Sequence, residues 1–162
     1  MKQAEIAGKQ AISRWTPLTR AMLLVFTLAT LALRMYRIAE PQQVVFDEVH
    51  FGGFASHYLK GTYFFDVHPP LGKLIIAGIG HLYGYKGTFA FKDISDPYAD
   101  DPTVPFVQMR SAMVAFGTCS VMFALGTLVE MGFSPLALIL AGTFLSFGKN
   151  VVYLRLLTFP CR

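Results

Sequence analysis

Charge is scarce in this sequence. Asp, Glu, Lys and Arg together make up 15% of 162 residues, against about 25% in an ordinary soluble domain. A surface that must face water on all sides is hard to build from so few charges, and a soluble globular domain is set aside on that ground. Cysteine is nearly absent. Cys119 lies in an apolar run, Cys161 is next to last, and no CxxC or Cys/His spacing occurs. That excludes a disulfide scaffold and a zinc ribbon. Internal repeats and low-complexity tracts are absent too. The few basic residues are not spread as a phosphate-contacting patch, so nucleic acid is an unpromising partner.

Hydrophobicity is what the chain has instead. Fully 54% of it is apolar, with 15 Phe, which identifies a membrane protein. Leu18–Leu33 is the first apolar run, closed by Arg34 and Arg37. It is near the length of about 20 residues that a bilayer core requires. A cleaved signal is disfavoured because no small-x-small site follows it. Ser111–Val129 is uncharged between Arg110 and Glu130 and is the clearest span. A turn at Gly132–Ser134 leads to a third run, Pro135–Phe147. The expected organisation is a tail over 1–16, spans near 18–36, 109–130 and 134–148, and a loop over 38–105. Lys2, Lys9, Arg14 and Arg20 outweigh Glu5 at the N-terminus, which places that end in the cytoplasm and the long loop in the lumen. Lys149, Arg155 and Arg162 then fall on the luminal side, against the same rule.

The long loop carries the chemistry. It holds all four histidines and eight of the ten acids, Glu40 to Asp101. Two helices are predicted in it. The first covers Asp47–Leu59 and is weakened by Gly52-Gly53. The second covers Pro70–Tyr83, with Leu71, Leu74, Ile75, Gly78, Ile79, Leu82 and Tyr83 on one face and a proline start. Too short to span, the second is expected to lie at the membrane surface. Residues 86–105, rich in Asp, Pro and Gly, read as a loop. On the third span candidate's neighbour, Ser111, Ala115 and Cys119 repeat at four-residue spacing, a stripe on which another helix can seat closely.

Three groups in or beside this loop are candidate site residues. Asp47 and Glu48 suit a helix cap and first turn, or a carboxylate base. As helix neighbours they point about 100° apart and cannot flank a sugar from two sides as glycosidase acids do. One base with a supporting acid fits better, and such a mechanism needs a leaving group that departs unaided, as a phosphate does. His50 shares a face with Asp47 and is placed to orient it. His68-Pro69-Pro70-Leu71-Gly72-Lys73 suits a helix start, or an anion site made by free N–H groups at the helix N-terminus with Lys73 one turn in. Arg110 suits a snorkelling flank charge, a phosphate clamp, or a partner for Asp47 and Glu48. Two ligands, Asp47 and His50, are weak grounds for a metal, and none is expected.

With these residues in view, Val45-Phe46-Asp47-Glu48-Val49-His50-Phe51-Gly52, Tyr63-Phe64-Phe65-Asp66-Val67-His68-Pro69-Pro70-Leu71-Gly72-Lys73 and Gly84-Tyr85 before Gly87-Thr88-Phe89, the chain resembles the protein O-mannosyltransferases over roughly residues 18–147. Within them it is most similar to the fungal homodimeric subfamily. The resemblance implies an all-α membrane protein, the N-terminal part of a GT-C multi-span glycosyltransferase: three spans plus luminal juxtamembrane helices. It implies transfer of mannose from dolichyl phosphate mannose to Ser or Thr hydroxyls of secretory or membrane proteins at the endoplasmic reticulum membrane, with inversion and without a certain cofactor. A homodimer, or a heterodimer with another mannosyltransferase, is implied as well. Asp47 would be the general base and Glu48 its support, and Arg110 matches an arginine that matters in the family. His50, His68 and Lys73 are carried as substrate-binding candidates on the argument above. Family members are several times longer, and residues 148–162 depart from the family pattern, so a truncated form is expected. The alternative is a short non-catalytic subunit that associates with a full transferase.

Overall fold

A computed structural model describes residues 14–148. Most of the expected tail, most of the divergent end and Cys161 lie outside those residues. The described chain forms five α-helices: α1 (Pro17–Met35), α2 (Glu48–Lys60), α3 (Pro70–Leu82), α4 (Phe106–Glu130) and α5 (Pro135–Phe147). A three-residue 3-10 turn, Tyr98–Asp100, lies between α3 and α4. The described residues contain no strand, only one isolated antiparallel bridge between Gln43 and Pro97. They divide into two compact units, Arg37–Met113 and the flanking residues 14–36 with 114–148.

In the flanking unit, local chemistry sets the helix ends. Thr16 caps α1 by accepting from the Thr19 N–H at 3.2 Å, and Ser134 caps α5 by accepting from the Ala137 N–H at 3.3 Å. Each cap is followed by proline at the first helical position, where no N–H is needed. α4 ends in a Schellman turn: the Phe133 N–H bonds the Leu128 carbonyl and Gly132 takes φ +79°, a value at which a Cβ is strained. α1 and α4 run antiparallel. Trp15 Nε1 donates to Glu130 Oε1 at 2.5 Å at one end, and Arg34 lies against Gly117 toward the other. α1 also packs on α5, where Phe26 fills the space that a side chain at Gly142 would need. There the fully buried hydroxyls of Thr30 and Ser146 meet at 2.7 Å.

Two helices are long and apolar enough to cross a membrane, α1 and α4. The third run forms a helix with the predicted bounds, but its 13 residues reach only about 20 Å, short of a hydrocarbon core of about 30 Å. Of the three expected spans, two coincide with membrane-length helices among the described residues and the third, already short in the sequence, with the shorter α5. On α4, Ala115 and Cys119 are exposed.

The Arg37–Met113 unit is built on an aromatic core. Tyr85, Phe89, Phe91, Tyr98, Val44, Val104 and Met109 are buried together. Much of this core comes from residues 86–105, the stretch whose composition reads as plain loop. Phe89, Phe91 and Tyr98 lie with ring centroids 4.8 to 6.2 Å apart. The Phe91 ring sits against Gly52, where a Cβ would come within 2.3 Å of it. The glycine that weakens α2 as a helix is the slot that receives the core. The buried residues of α3 are Lys73, Ala77 and Gly80. Leu71, Leu74, Leu82 and Tyr83, from the periodic apolar face, are exposed, while Ile79 of the same face packs against the aromatic core.

Candidate functional site

All six expected site residues fall in the Arg37–Met113 unit. Asp47 stands at the N-cap position of α2 but does not cap it. Its backbone is already helical (φ −75°, ψ −16°), its carbonyl accepts from the His50 and Phe51 N–H groups, and its carboxylate makes no capping bond. Capping needs an extended residue whose side chain can curl back. The Asp47 carboxylate is therefore exposed and carries no hydrogen bond among the described residues. His50 is exposed as well, and the expected bond between its ring and the Asp47 carboxylate is absent. Only their backbones meet, at 3.2 Å.

Glu48 is the opposite case. Its carboxylate takes Arg110 Nε on Oε1 at 2.6 Å and Arg110 Nη2 on Oε2 at 2.9 Å. This is the two-pronged pairing for which the guanidinium fork is shaped. Oε2 also accepts from the Tyr98 hydroxyl at 2.9 Å and the Val45 N–H at 3.0 Å. With four donors on it, Glu48 has no role left as a base. Arg110 is equally committed. Its remaining donors go to the carbonyls of Ile38 at 3.1 Å, Pro41 at 2.9 Å and Gln43 at 3.1 Å. Five bonds use all five N–H donors of a guanidinium. The phosphate-clamp reading of Arg110 gives way to the partner reading, with Glu48 and not Asp47. The guanidinium also lies over the rings of Phe106 at 4.9 Å and Tyr98 at 5.7 Å. Burial, then the adjacent Glu48 charge, push the Tyr98 hydroxyl well above the usual phenol range, so it stays a donor.

Lys73 also departs from expectation. It does not reach outward from the start of α3. It is 2% exposed, its Nζ donates to Asp66 Oδ2 at 2.5 Å and to the His68 carbonyl at 2.9 Å, and it lies over the Phe54 and Phe64 rings. A cation so enclosed must be paired to be tolerated, and Asp66 pairs it. Lys73 thus holds the turn before α3 together and is not free to bind an outside anion. The hydrogen bond from Lys73, aided by one from His68, holds the Asp66 carboxyl well below the usual carboxylate range. His68 itself is outward, its side chain 62% exposed, with Nδ1 2.9 Å from Asp66 Oδ1.

Sequence reasoning missed Asp66 and Tyr98. Asp66 had a signal: it precedes His68 by two residues and Lys73 by seven. Tyr98 had none, since 50 residues separate it from Glu48. No three His, Cys, Asp or Glu side chains gather to hold a metal ion among the described residues. A shallow cleft of about 350 Å³ is lined by Thr88, Phe91, Lys92, Asp96 and Asp101 among others, and includes none of the six expected residues.

The chain is similar to known proteins. The family model for dolichyl-phosphate-mannose-protein mannosyltransferase matches residues 23–159, past residue 147, where the sequence reading ended the resemblance. Dolichyl-phosphate-mannose–protein mannosyltransferase 4 of Saccharomyces cerevisiae is 49% identical over 109 residues, 67% of this chain and 14% of that protein. Mannosyltransferase 1 of the same yeast is 48% identical over 112 residues, 68% of this chain and 14% of that protein, so identity does not single out one of these two relatives. Protein O-mannosyl-transferase 2 of Danio rerio is 39% identical over 134 residues, covering 83% of this chain and 17% of that one. The solved S. cerevisiae protein O-mannosyltransferase Pmt1–Pmt2 complex bound to the sugar donor superposes with a TM-score of 0.71 at 38% identity, over 81% of this chain and 17% of that chain. The helical fold is that of the corresponding part of a GT-C transferase. The chain spans only 14% to 17% of the length of these relatives, and it belongs to the dolichyl-phosphate-mannose-protein mannosyltransferase family.

Proposed function

We propose that this member of the family supplies the base-bearing segment of a transferase that moves mannose from dolichyl phosphate mannose to Ser or Thr hydroxyls of proteins. The observation that carries this reading is the contrast between two adjacent acids. Glu48 is locked by Arg110, Tyr98 and Val45, while Asp47 beside it is exposed and unbonded. A base must be free to take a proton at hydrogen-bond range, and a locked neighbour fixes where it stands. Asp47 takes the proton of the acceptor hydroxyl as its oxygen attacks the anomeric carbon from the face opposite the phosphate. The bond from that carbon to the phosphate oxygen breaks, the new bond to the acceptor forms with inversion, and dolichyl phosphate leaves with the electron pair. His68, outward at the start of α3, lies on the donor side of this scheme, and exposed His50 on the acceptor side.

The apolar outer face of α3 supports a place at the bilayer surface, which suits a lipid-linked donor. The setting is the endoplasmic reticulum membrane, with the N-terminus cytoplasmic and the Arg37–Met113 unit luminal. Pairing with a second mannosyltransferase chain accords with the two-chain complex that this fold matches.

The test is a chimera in which residues 23–147 replace the matching segment of S. cerevisiae mannosyltransferase 4. The unaltered chimera transfers mannose to a Ser/Thr acceptor peptide. Asp47→Asn lowers kcat by about 10²- to 10⁴-fold without loss of protein. Unchanged transfer in that variant, or an unaltered chimera that is folded and inert, sinks the reading.

A further inference from the structure

Asp66 is not among the residues assigned a role in transfer, yet it organises the start of α3. Its carboxylate, 9% exposed, bridges two nitrogens. Lys73 Nζ binds one oxygen from inside, and His68 Nδ1 lies 2.9 Å from the other on the outside. Phe64, two residues before Asp66, is clamped between Phe54, at 5.0 Å and nearly parallel, and Tyr58, at 5.0 Å and edge-on. Tyr63, Phe65 and Val67 alternate outward. This extended stretch therefore turns every second side chain in, and Asp66 is the charged one among them.

A carboxylate that is ionised can only accept. Since Asp66 is held ionised by Lys73, the nitrogen of His68 that faces it must carry the proton. The other ring nitrogen, Nε2, has no partner among the described residues and stands on a ring that is mostly exposed. Asp66 fixes the ring's orientation from behind, and an anionic phosphate set against Nε2 favours the imidazolium form, which donates to it. This is the arrangement by which a second residue fixes the tautomer and aim of a working imidazole.

We propose that Asp66 is the positioning residue for donor binding in this family member, aiming His68 Nε2 at the phosphate headgroup of the lipid-linked sugar while Lys73 holds Asp66 in place. The inference rests on the transferase reading above and adds to it a division of labour. Lys73 acts inside, Asp66 relays, and His68 touches the donor.

The test is a kinetic cycle in the same chimera, with donor and acceptor varied separately. His68→Gln and Asp66→Asn each raise the donor KM, on the order of 10-fold, and leave the acceptor KM and kcat within about twofold. The double variant is no worse than His68→Gln alone, because Asp66 acts through His68. Asp66→Asn strands Lys73, so Asp66→Asn/Lys73→Met is measured beside it. With no charge left unpaired, it folds and still shows the raised donor KM. An unchanged donor KM in this double variant, or full additivity of Asp66→Asn with His68→Gln, overturns the proposal. Product inhibition identifies the ligand. Dolichyl phosphate inhibits less in His68→Gln, and inorganic phosphate at the same concentration does not inhibit at all. Equal inhibition by both would make this a general anion site and overturn the lipid assignment. If Asp47→Asn leaves transfer intact, the underlying function fails. If Asp47→Asn abolishes transfer while donor KM is indifferent to His68 and Asp66, only the present inference fails.

Discussion

Arg110 shows how far a single side chain can commit itself. Every one of its five donors is used, two on Glu48 and three on the carbonyls of Ile38, Pro41 and Gln43. Its side chain is 13% exposed and that of Glu48 23%, so water competes weakly for either. Lysine keeps the charge but is a point donor without the fork. Arg110→Lys therefore loses at least the paired contact with Glu48 and part of the carbonyl bridge, and is expected to destabilise the Arg37–Met113 unit by about 3 kcal/mol. A thermal melt of the purified variant checks this. A Tm equal to that of the parent would mean the bonds add nothing. The sequence marked Arg110 as a candidate and left its role open. A boundary arginine near two acids suggests a clamp or a partner equally, and only the positions of three carbonyls, 67 to 72 residues away, separate the two.

At the level of elements, helix bounds were the most legible part. α5 has the predicted bounds, α3 is one residue shorter and α2 is displaced by one. Periodicity and proline starts are local signals, and local signals survive folding. Periodicity identified the apolar stripe of α3, and the exposure of Leu71, Leu74 and Leu82 accords with the expected place at a membrane surface. The 86–105 stretch is the expected loop, apart from one 3-10 turn, and what the sequence did not show is that it supplies core residues. Its aromatic residues are scattered among Asp and Gly without a period, and their burial is decided by the slot at Gly52. Phe91 occupies that slot with φ +47°, an uncommon conformation for a bulky residue, and the buried ring offsets the strain. Gly52→Ala places a methyl group within 2.3 Å of the ring. A loss of about 1–3 kcal/mol is expected from overpacking, although alanine is the better helix former. Chemical denaturation of the variant decides which effect wins, and a gain in stability would show that the ring can move aside.

Across the whole molecule, two acids in the Arg37–Met113 unit tie its stability to pH. The Lys73 bond chiefly holds Asp66 low. Burial works to raise Asp101, but bonds from Thr103 and Thr88 bring it below its usual value. Both folded values lie below the unfolded ones, so their contribution is complete above the ordinary Asp pKa of about 3.9 and is lost as pH falls through the lowered values. Melting followed by circular dichroism in nanodiscs is expected to be flat from about pH 7 to about pH 5 and to drop only in stronger acid. A drop already complete at about pH 5 would contradict it.

The ion pair between Glu48 and Arg110 also fixes an order of events during synthesis. Its partners stand 62 residues apart, and the carbonyls that Arg110 gathers all precede Glu48. A ribosome delivers Asp47 and Glu48 long before the arginine that holds them still. Until residue 110 has emerged, the acid pair sits on an untethered segment, and the proposed base has no fixed address. The arrival of Arg110, at the opening of the second membrane-length helix, is the moment at which the nascent chain first acquires a site.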